Sequence, residues 1–267
     1  MAHQPTADGD PLLTERELAS TFDGGYYVDA WAAVEEYRRV MSYASRHPNR
    51  GSQAIASRLE IPRSRIRPWL DGGVPDPVRA IDTAREHGWL ALGPTDEAFA
   101  PLNVLVANVF AGGSVTKQTY QPMFALASAD ASVIDALEAS GAGATIVADR
   151  EERADEARPS EDGSILGRVL ACLGAPVGVK ADQRLTLPAY LDDAPTDVRA
   201  AFVDAYLENR VIEHEGKDTL TILEERNRAY LRSLAELIDD VVDGRVELGD
   251  RTIVISAEAA RRFEISG

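Results

Sequence analysis

One order of helical and strand-like segments occurs twice between residues 101 and 265. The first round opens with PLNVLVANVFAGG (101–113) and the second with DVRAAFVDAYLENR (197–210). Each round follows the order helix-strand-strand-helix-strand-strand-helix, which indicates an internal duplication. The repeats cover about residues 101–178 and 195–265. We therefore predict a duplicated αββαββα domain, with the acidic segment 149–164 as a solvated loop.

The opening helices of the two repeats carry small residues one turn apart. Ala107 precedes Ala111 by four positions, and Ala201 precedes Ala205 by the same spacing. Residues four apart share one helix face, and small side chains there let two backbones approach closely. We therefore expect the two opening helices to pack side by side.

These features resemble the LAGLIDADG homing-endonuclease family over about residues 100–265. The stretches LVANVFAGGSV (105–115) and FVDAYLENRVI (202–212) match its two motif helices, and segment 166–191 ends in the Leu-Pro-x-Tyr-Leu of the family. The resemblance implies four-stranded saddles that face DNA. The candidate residues on that surface are Lys117, Gln118, Tyr120 and Lys217.

The catalytic chemistry of that family does not carry over to this chain. The resemblance implies an acid at the end of each motif helix, because the pair holds the metals that activate water. Aligned residue by residue, Gly112 and Arg210 stand at these positions. Glu208 is a weak metal candidate, and His214 fits a polar strand end better than a metal site. We predict no catalytic residue, no metal and no cofactor.

The charge of the chain is strongly negative and unevenly distributed. The net charge is −16, and only Lys117, Lys180 and Lys217 are lysines. This composition resembles that of proteins from salt-accumulating archaea, in which acidic surfaces serve solvation. Residues 37–67 nevertheless carry eight arginines and a single acid, a local charge of +7 that leaves −23 for the rest. Such a basic segment in an acidic chain predicts an anionic partner.

The basic segment contains a helix-turn-helix pattern. An apolar face predicts a helix over residues 29–44, and Ser52 to Gly73 then follows the helix-turn-helix spacing from its first position. Six residues occupy the small and apolar positions of that pattern: Ile55, Ala56, Leu59, Ile61, Ile66 and Trp69. Glu60 holds the turn position where glycine is usual, and Pro68 falls inside the second helix. The pattern therefore predicts a DNA-binding module.

The arginines outside the apolar face give this module its expected function. Arg63, Ser64 and Arg67 lie away from Ile66 and Trp69, and we expect them to enter a major groove, where arginine can bond guanine with both prongs. The expected phosphate contacts are Arg38, Arg39, Arg50, Arg58 and Arg65. A solvated face without a ligand is the competing interpretation, although a salt-adapted chain would fill such a face with acids.

The predicted organisation is an all-α domain followed by the duplicated one, an α+β chain as a whole. We assign a tail to residues 1–27, the helix-turn-helix domain to 28–90, a linker to 91–100 and the duplicated domain to 101–267. No apolar run approaches the ~18 residues of a membrane span, and the N-terminus has no signal-like stretch, so a cytoplasmic location without membrane contact is expected.

Three functions are compatible with these patterns. The favoured one is a sequence-specific regulator that binds double-stranded DNA and has an inactive endonuclease-like domain. Bacterial sporulation regulators that join such a domain to a helix-turn-helix are a precedent by analogy. The second is a living nuclease in which Glu208, with Asp204 or Glu213, holds the metal. The third is an interaction or ligand-sensing module. A homodimer or a protein partner fits the favoured function, since a single helix-turn-helix more often works as a dimer.

Overall fold

The computed structural model describes residues 11–128, 131–148, 155–213 and 218–263. The chain divides into two compact units. We call residues 14–86 the helical unit, and residues 11–13 with 87–263 the mixed unit. Helices and two small antiparallel sheets make up the described chain, which confirms the α+β class. Within this described part, no helix has the length and apolar character needed to cross a membrane.

The helical unit contains five helices. Their bounds are Glu15–Ser20 (α1), Ala30–Arg46 (α2), Ser52–Leu59 (α3), Arg63–Leu70 (α4) and Asp76–Glu86 (α5). A capping box between Thr14 and Glu17 starts α1, and the Asp29 carboxylate accepts from the backbone N–H of Ala32 at the start of α2. Such caps satisfy the first N–H groups of a helix and fix where it begins.

One apolar core holds α2, α3 and α4 together. Its buried members are Val40, Ile55, Ala56, Ile61 and Ile66, and Tyr43, Ala44, Leu59, Trp69 and Leu70 pack against it. All six residues of the small and apolar pattern in segment 52–73 belong to this core. The periodic spacing along the sequence therefore corresponds to one packed interior between two short helices.

The turn between α3 and α4 depends on a left-handed residue. Glu60 has φ 57° and ψ 35°, and its backbone N–H donates to the carbonyl oxygen of Ala56. A residue with a side chain pays about 1–2 kcal/mol for this conformation, whereas glycine adopts it freely. The turn therefore has the left-handed geometry that favours glycine, although Glu60 occupies the position.

Glu60→Gly is expected to raise the free energy of unfolding of the helical unit by about 1 kcal/mol, because the left-handed strain disappears. Glu60→Ala is the matched control and should give no such gain. Hydrogen exchange at the amides of α3 and α4 reports on this unit alone. Faster exchange in Glu60→Gly than in Glu60→Ala would contradict the assignment.

The boundaries of the helical unit differ from the predicted ones at residues 28 and 90. Helix α1 lies inside the segment predicted as a tail, and its Leu18 and Ala19 are buried. Glu15 at its start forms ion pairs with Arg38 and Arg85. Trp89 belongs to the mixed unit, because its indole N–H donates to the carbonyl of Ser140 at 2.9 Å. The ion pairs of Glu15 therefore extend the helical unit towards the N-terminus, and the buried Trp89 assigns the segment after α5 to the mixed unit.

The mixed unit repeats one series of elements. The first series is Phe99–Ala111 (α6), Ser114–Val115 (β1), Pro122–Ala125 (β2), Ser132–Ala139 (α7), Ala144–Val147 (β3), Glu156–Pro159 (β4) and Gly163–Cys172 (α8). The second is Thr196–Glu208 (α9), Val211–Glu213 (β5), Leu220–Leu223 (β6), Arg228–Val241 (α10), Val246–Leu248 (β7), Thr252–Ile255 (β8) and Ala257–Ala260 (α11). The two sheets have matching orders, β1-β2-β4-β3 and β5-β6-β8-β7.

Strand β4 corrects the prediction that segment 149–164 is a solvated loop. It pairs antiparallel with both β2 and β3, and Ala157 at its centre is fully buried. The surrounding acids hide this strand from a hydropathy pattern, since its stabilisation comes from ladder hydrogen bonds on both sides. Residues 149–154 of the segment lie outside the described residues.

Helices α6 and α9 pack against each other in the interior. Ala107, Ala111 and Ala205 are buried and Ala201 is partly exposed, and the side-chain amide of Asn103 donates to the carbonyl of Val198 at 2.8 Å. Tyr190 in turn donates its hydroxyl to the amide oxygen of Asn103 at 2.7 Å. The close approach expected from the small residues is therefore present, and it brings the C-terminal ends of the two helices together.

Candidate nucleic-acid interface

Most of the predicted DNA-binding residues lie on the surface of the helical unit. Six of the eight are exposed, and two are partly buried. The exposed ones are Arg39, Arg50, Arg58, Arg63, Ser64 and Arg67. The partly buried ones are Arg38 and Arg65. We define these six exposed residues, which come from α2, the connection before α3, α3 and α4, as the arginine face.

The starts of α3 and α4 are joined by a hydrogen bond. The Nε of Arg63 donates to the hydroxyl oxygen of Ser52 at 3.0 Å. Gly51 and Pro62 precede the two helices, and no side chain caps either start within the described chain. The first N–H groups of a helix favour anions when they are left open. Ser52 is thus a site residue that the sequence reasoning missed, because only the packing brings it beside Arg63.

Arg67 has a weak intramolecular partner. Its Nε lies 3.5 Å from a carboxylate oxygen of Asp71, and both side chains are about two-thirds exposed. An exposed pair of this kind contributes about 0–1 kcal/mol, so a ligand can replace it at little cost. Arg67 therefore remains available to a ligand, one helical turn after Arg63.

Arg65 and Arg38, both predicted as phosphate contacts, have partners inside the helical unit. Arg65 lies 3.2 Å from Glu36 and stacks over the ring of Tyr27 at 5.1 Å. Arg38 lies 2.7 Å from Glu15. These contacts connect α4 and α1 to α2, and we assign both arginines first to holding the helices in place.

The Tyr27 hydroxyl completes the contact around Arg65. It donates to a carboxylate oxygen of Glu36 at 2.7 Å. Burial, together with the hydrogen bond to Glu36, raises the pKa of Tyr27 to about 12. The phenol therefore stays protonated and keeps donating at neutral pH.

The secondary DNA-facing candidates lie in the mixed unit. Lys117 and Gln118 are exposed between β1 and β2. Tyr120 has a packing role, because the guanidinium of Arg168 lies 4.1 Å from its ring centroid. Lys217 falls outside the described residues. The surface carries far fewer cations than the arginine face.

The helix ends correct the pairing of Gly112 with Arg210. Gly112 is the C-cap of α6, and Asn209 is the C-cap of α9, a helix of the same 13-residue length. A Cβ built at Gly112 would lie 3.7 Å from that of Asn209 and 2.6 Å from that of Ala125. The structural counterpart of Gly112 is therefore Asn209, and no side chain fits at residue 112 without a shift of Ala125.

Glu208 has a structural partner. Its carboxylate accepts from the backbone N–H and the hydroxyl of Ser132 at the start of α7. Within residues 11–128, 131–148, 155–213 and 218–263, no group of three or more His, Cys, Asp or Glu side chains could hold a metal. His214 and the side chain of Glu213 lie outside the described residues.

A buried carboxylate near the end of α9 was not predicted from the sequence. Glu224 is only 3 % exposed, and it accepts from the Tyr206 hydroxyl at 2.8 Å. Nη2 of Arg210 lies 3.0 Å from one of its oxygens, and Nε of Arg226 lies 3.0 Å from the other. Buried acids are found where partners satisfy them, and here two cations and a hydroxyl do so.

Lys180 closes the end of α6. Its ammonium donates to the carbonyl oxygens of Val109 at 2.7 Å and Gly113 at 2.8 Å. A cation at a helix C-terminus is favourable because the partial charge there is negative. Burial, with the charges of Arg226 and Arg210, lowers the pKa of Lys180 to about 7, against a smaller opposite effect of Glu224.

This lowered pKa predicts a pH dependence of stability. Unfolding returns the pKa of Lys180 to 10.5, so the unfolded chain binds more protons between about pH 7 and pH 10. The cost of burying the ammonium is fully present below pH 7 and is relieved as pH rises through this window. We expect the urea midpoint of Lys180→Met to lack that rise, and an identical pH profile in the two proteins would contradict it.

Comparison with known proteins gives no assignment: no protein-family model matches the chain, and no curated protein matches it significantly. The functional conclusion therefore depends on the arginine face and on the geometry of the two units.

Proposed function

We propose that this chain is a sequence-specific double-stranded DNA-binding protein, a transcriptional regulator that reads its site through α3 and α4. The observation that carries the proposal is the arginine face on a chain of net charge −16. The rest of the chain is net acidic and disfavours DNA, so the strongly basic segment is the favoured place for a duplex to approach.

The residues of α4 suit the major groove. An α-helix is about 10–12 Å wide with its side chains, and the major groove is about 12 Å wide. Arg63 and Ser64 are exposed in the first turn of this helix, and Arg67 is exposed one turn later. Arginine offers two donors to O6 and N7 of one guanine, which distinguishes it from the other bases. We therefore assign base reading to these three residues.

The remaining arginines suit the phosphate backbone. Arg50 before α3 and Arg58 on α3 are exposed, as is Arg39 on α2, which also donates to the carbonyl of Leu59 at 2.9 Å. The open starts of α3 and α4 add backbone N–H donors. Phosphate contacts fix the register of a protein on DNA without reading its sequence. High salt weakens this term, because each released counterion gains less entropy when the bulk ion concentration is already high. Base contacts would then supply a larger share of the affinity.

For the mixed unit, we propose a LAGLIDADG-like domain without nuclease activity. The repeated series of elements, the matching sheet orders and the packing of α6 against α9 support this assignment. Gly112 and Asn209 at the helix ends offer no carboxylate for a metal. The domain would then contribute contacts or geometry to the complex and leave the DNA intact.

A photoreactive amino acid at Ser64 tests the proposed orientation. In the full-length chain, we expect this residue to crosslink to bases of a bound duplex. The matched control carries the same group at Asp82, an exposed position on α5 outside the arginine face, and should give little crosslinking. Crosslinks from position 82 without any from position 64 would overturn the assignment.

A further inference from the structure

Three buried N–H donors without an acceptor lie close together in the mixed unit. They are Nδ2 of Asn209, Nε of Arg210 and Nη1 of Arg226, and none has a hydrogen-bond partner among the described residues. Buried donors are nearly always paired in folded proteins, so each such donor calls for an explanation. Three in one place indicate a missing acceptor.

Shared contacts place two of these donors in one cluster, and the third belongs to the adjacent residue of the chain. Arg210 and Arg226 bind opposite oxygens of the Glu224 carboxylate, and Asn209 directly precedes Arg210. That carboxylate also accepts from Tyr206, and it leaves Nε of Arg210 and Nη1 of Arg226 without an acceptor. The free donors of the two guanidinium groups therefore need an acceptor from outside.

The net positive charge of the cluster indicates that the missing acceptor is an anion. Arg210 and Arg226 bring two positive charges and Glu224 brings one negative charge, and Lys180, with its pKa of about 7, is protonated in part at neutral pH. The pKa of Lys180 is lowered partly by the two arginines, which places the three cations within electrostatic reach. An anion would offset this excess and also accept the free hydrogen bonds.

The cluster lies just below the surface at the end of α6, where the donor atoms are buried but their side chains are partly exposed. The side chains of Arg210 and Arg226 remain 29 % and 13 % exposed. Gly112 is exposed and lies beside Asn209, so no side chain at residue 112 covers the amide. A small ligand can therefore approach the donors along the paired helix ends.

We propose that Asn209, Arg210 and Arg226 form an oxyanion site for a phosphate group, with Lys180 adding positive charge. The planar guanidinium groups offer paired donors that match the oxygens of a phosphate. The phosphate belongs either to a free anion or to a nucleic-acid backbone. The site lies in the mixed unit and does not depend on the arginine face.

Inorganic phosphate provides the direct probe. In the full-length protein, at constant ionic strength and chloride, phosphate is expected to raise the thermal midpoint and to give saturable binding by calorimetry. Asn209→Asp should weaken this binding at least tenfold, because a carboxylate replaces a donor that has no structural partner. The matched control is Arg232→Ala, an exposed arginine on α10, and it should bind phosphate like the parent.

A second arm distinguishes a nucleic-acid phosphate. If free phosphate does not bind, Asn209→Asp should reduce the salt dependence of duplex binding by about one phosphate contact, a change in slope of ~0.9. Either result supports the site. Unchanged phosphate binding in Asn209→Asp, or no phosphate binding with an unchanged salt slope, overturns it. The Arg63→Ala, Arg67→Ala double variant should keep the phosphate response, which separates this proposal from the DNA-reading one.

Discussion

The Arg63→Ala, Arg67→Ala double variant is expected to lose most of its preference for a specific duplex. A bidentate hydrogen bond from one arginine to a guanine contributes about 1–3 kcal/mol of discrimination between bases, so two such contacts amount to about 2–6 kcal/mol. Discrimination between the preferred duplex and a scrambled one should fall by about 30-fold to 10⁴-fold. Fluorescence anisotropy with both duplexes measures this ratio.

The matched control for this variant is Arg79→Ala. Arg79 is exposed on α5, where it pairs with Asp76 at 3.3 Å and donates to the carbonyl of Val74, so its removal changes the charge by one unit without touching the arginine face. It should weaken binding slightly and equally for both duplexes. The base-reading role of α4 would be refuted by a double variant that discriminates as well as the parent does.

Glu224→Ala is expected to give the largest loss of stability, about 3–5 kcal/mol, because it removes a buried carboxylate and leaves two partly buried guanidinium groups without their counterion. The Tyr206 hydroxyl also loses its acceptor. The loss should be confined to the mixed unit. Hydrogen exchange resolves it, since amides of α9 and α10 should exchange faster while those of α3 and α4 stay unchanged.

A paired substitution provides the control for Glu224. Replacing Glu224 with leucine together with Arg226→Met removes charge of both signs, and apolar replacements of a buried ion pair are often neutral or stabilising. This double variant should recover part of the lost stability. A loss below about 1 kcal/mol in Glu224→Ala alone would mean that the network is solvated and does not hold the unit together.

Periodic patterns predicted much of the helical architecture. The spacing of Ile55, Ala56, Ile61 and Ile66 indicated two short helices around one core, and these residues are buried together. Alanine pairs indicated the packing of α6 against α9. Such features depend on neighbours within a few positions, so the sequence displays them directly.

Features that depend on distant partners were not predictable from spacing. Arg65 meets Glu36 across 29 positions, and Arg38 meets Glu15 across 23, so both looked like free phosphate ligands. The Lys180 ammonium donates to the carbonyl of Val109 at the end of α6, and Val109 precedes it by 71 positions in the chain. Long-range pairing of this kind is set by topology, which a linear pattern does not encode.

Register was the other source of error. Strand β4 sits in an acidic segment, where its ladder partners β2 and β3 decide its conformation. The counterpart of Gly112 proved to be Asn209, because the C-cap of α9 falls one residue before Arg210. A shift of one residue matters here, since it replaces an ion-paired arginine with an amide that has a free donor.

Selection from a random double-stranded DNA library by the purified full-length protein, at high potassium chloride, tests the central proposal most directly. The proposal predicts enrichment of a guanine-containing motif, whose symmetry reports whether one or two copies of α3 and α4 read it. Retained DNA without an enriched motif, or none retained even at low salt, would contradict sequence-specific recognition by this chain.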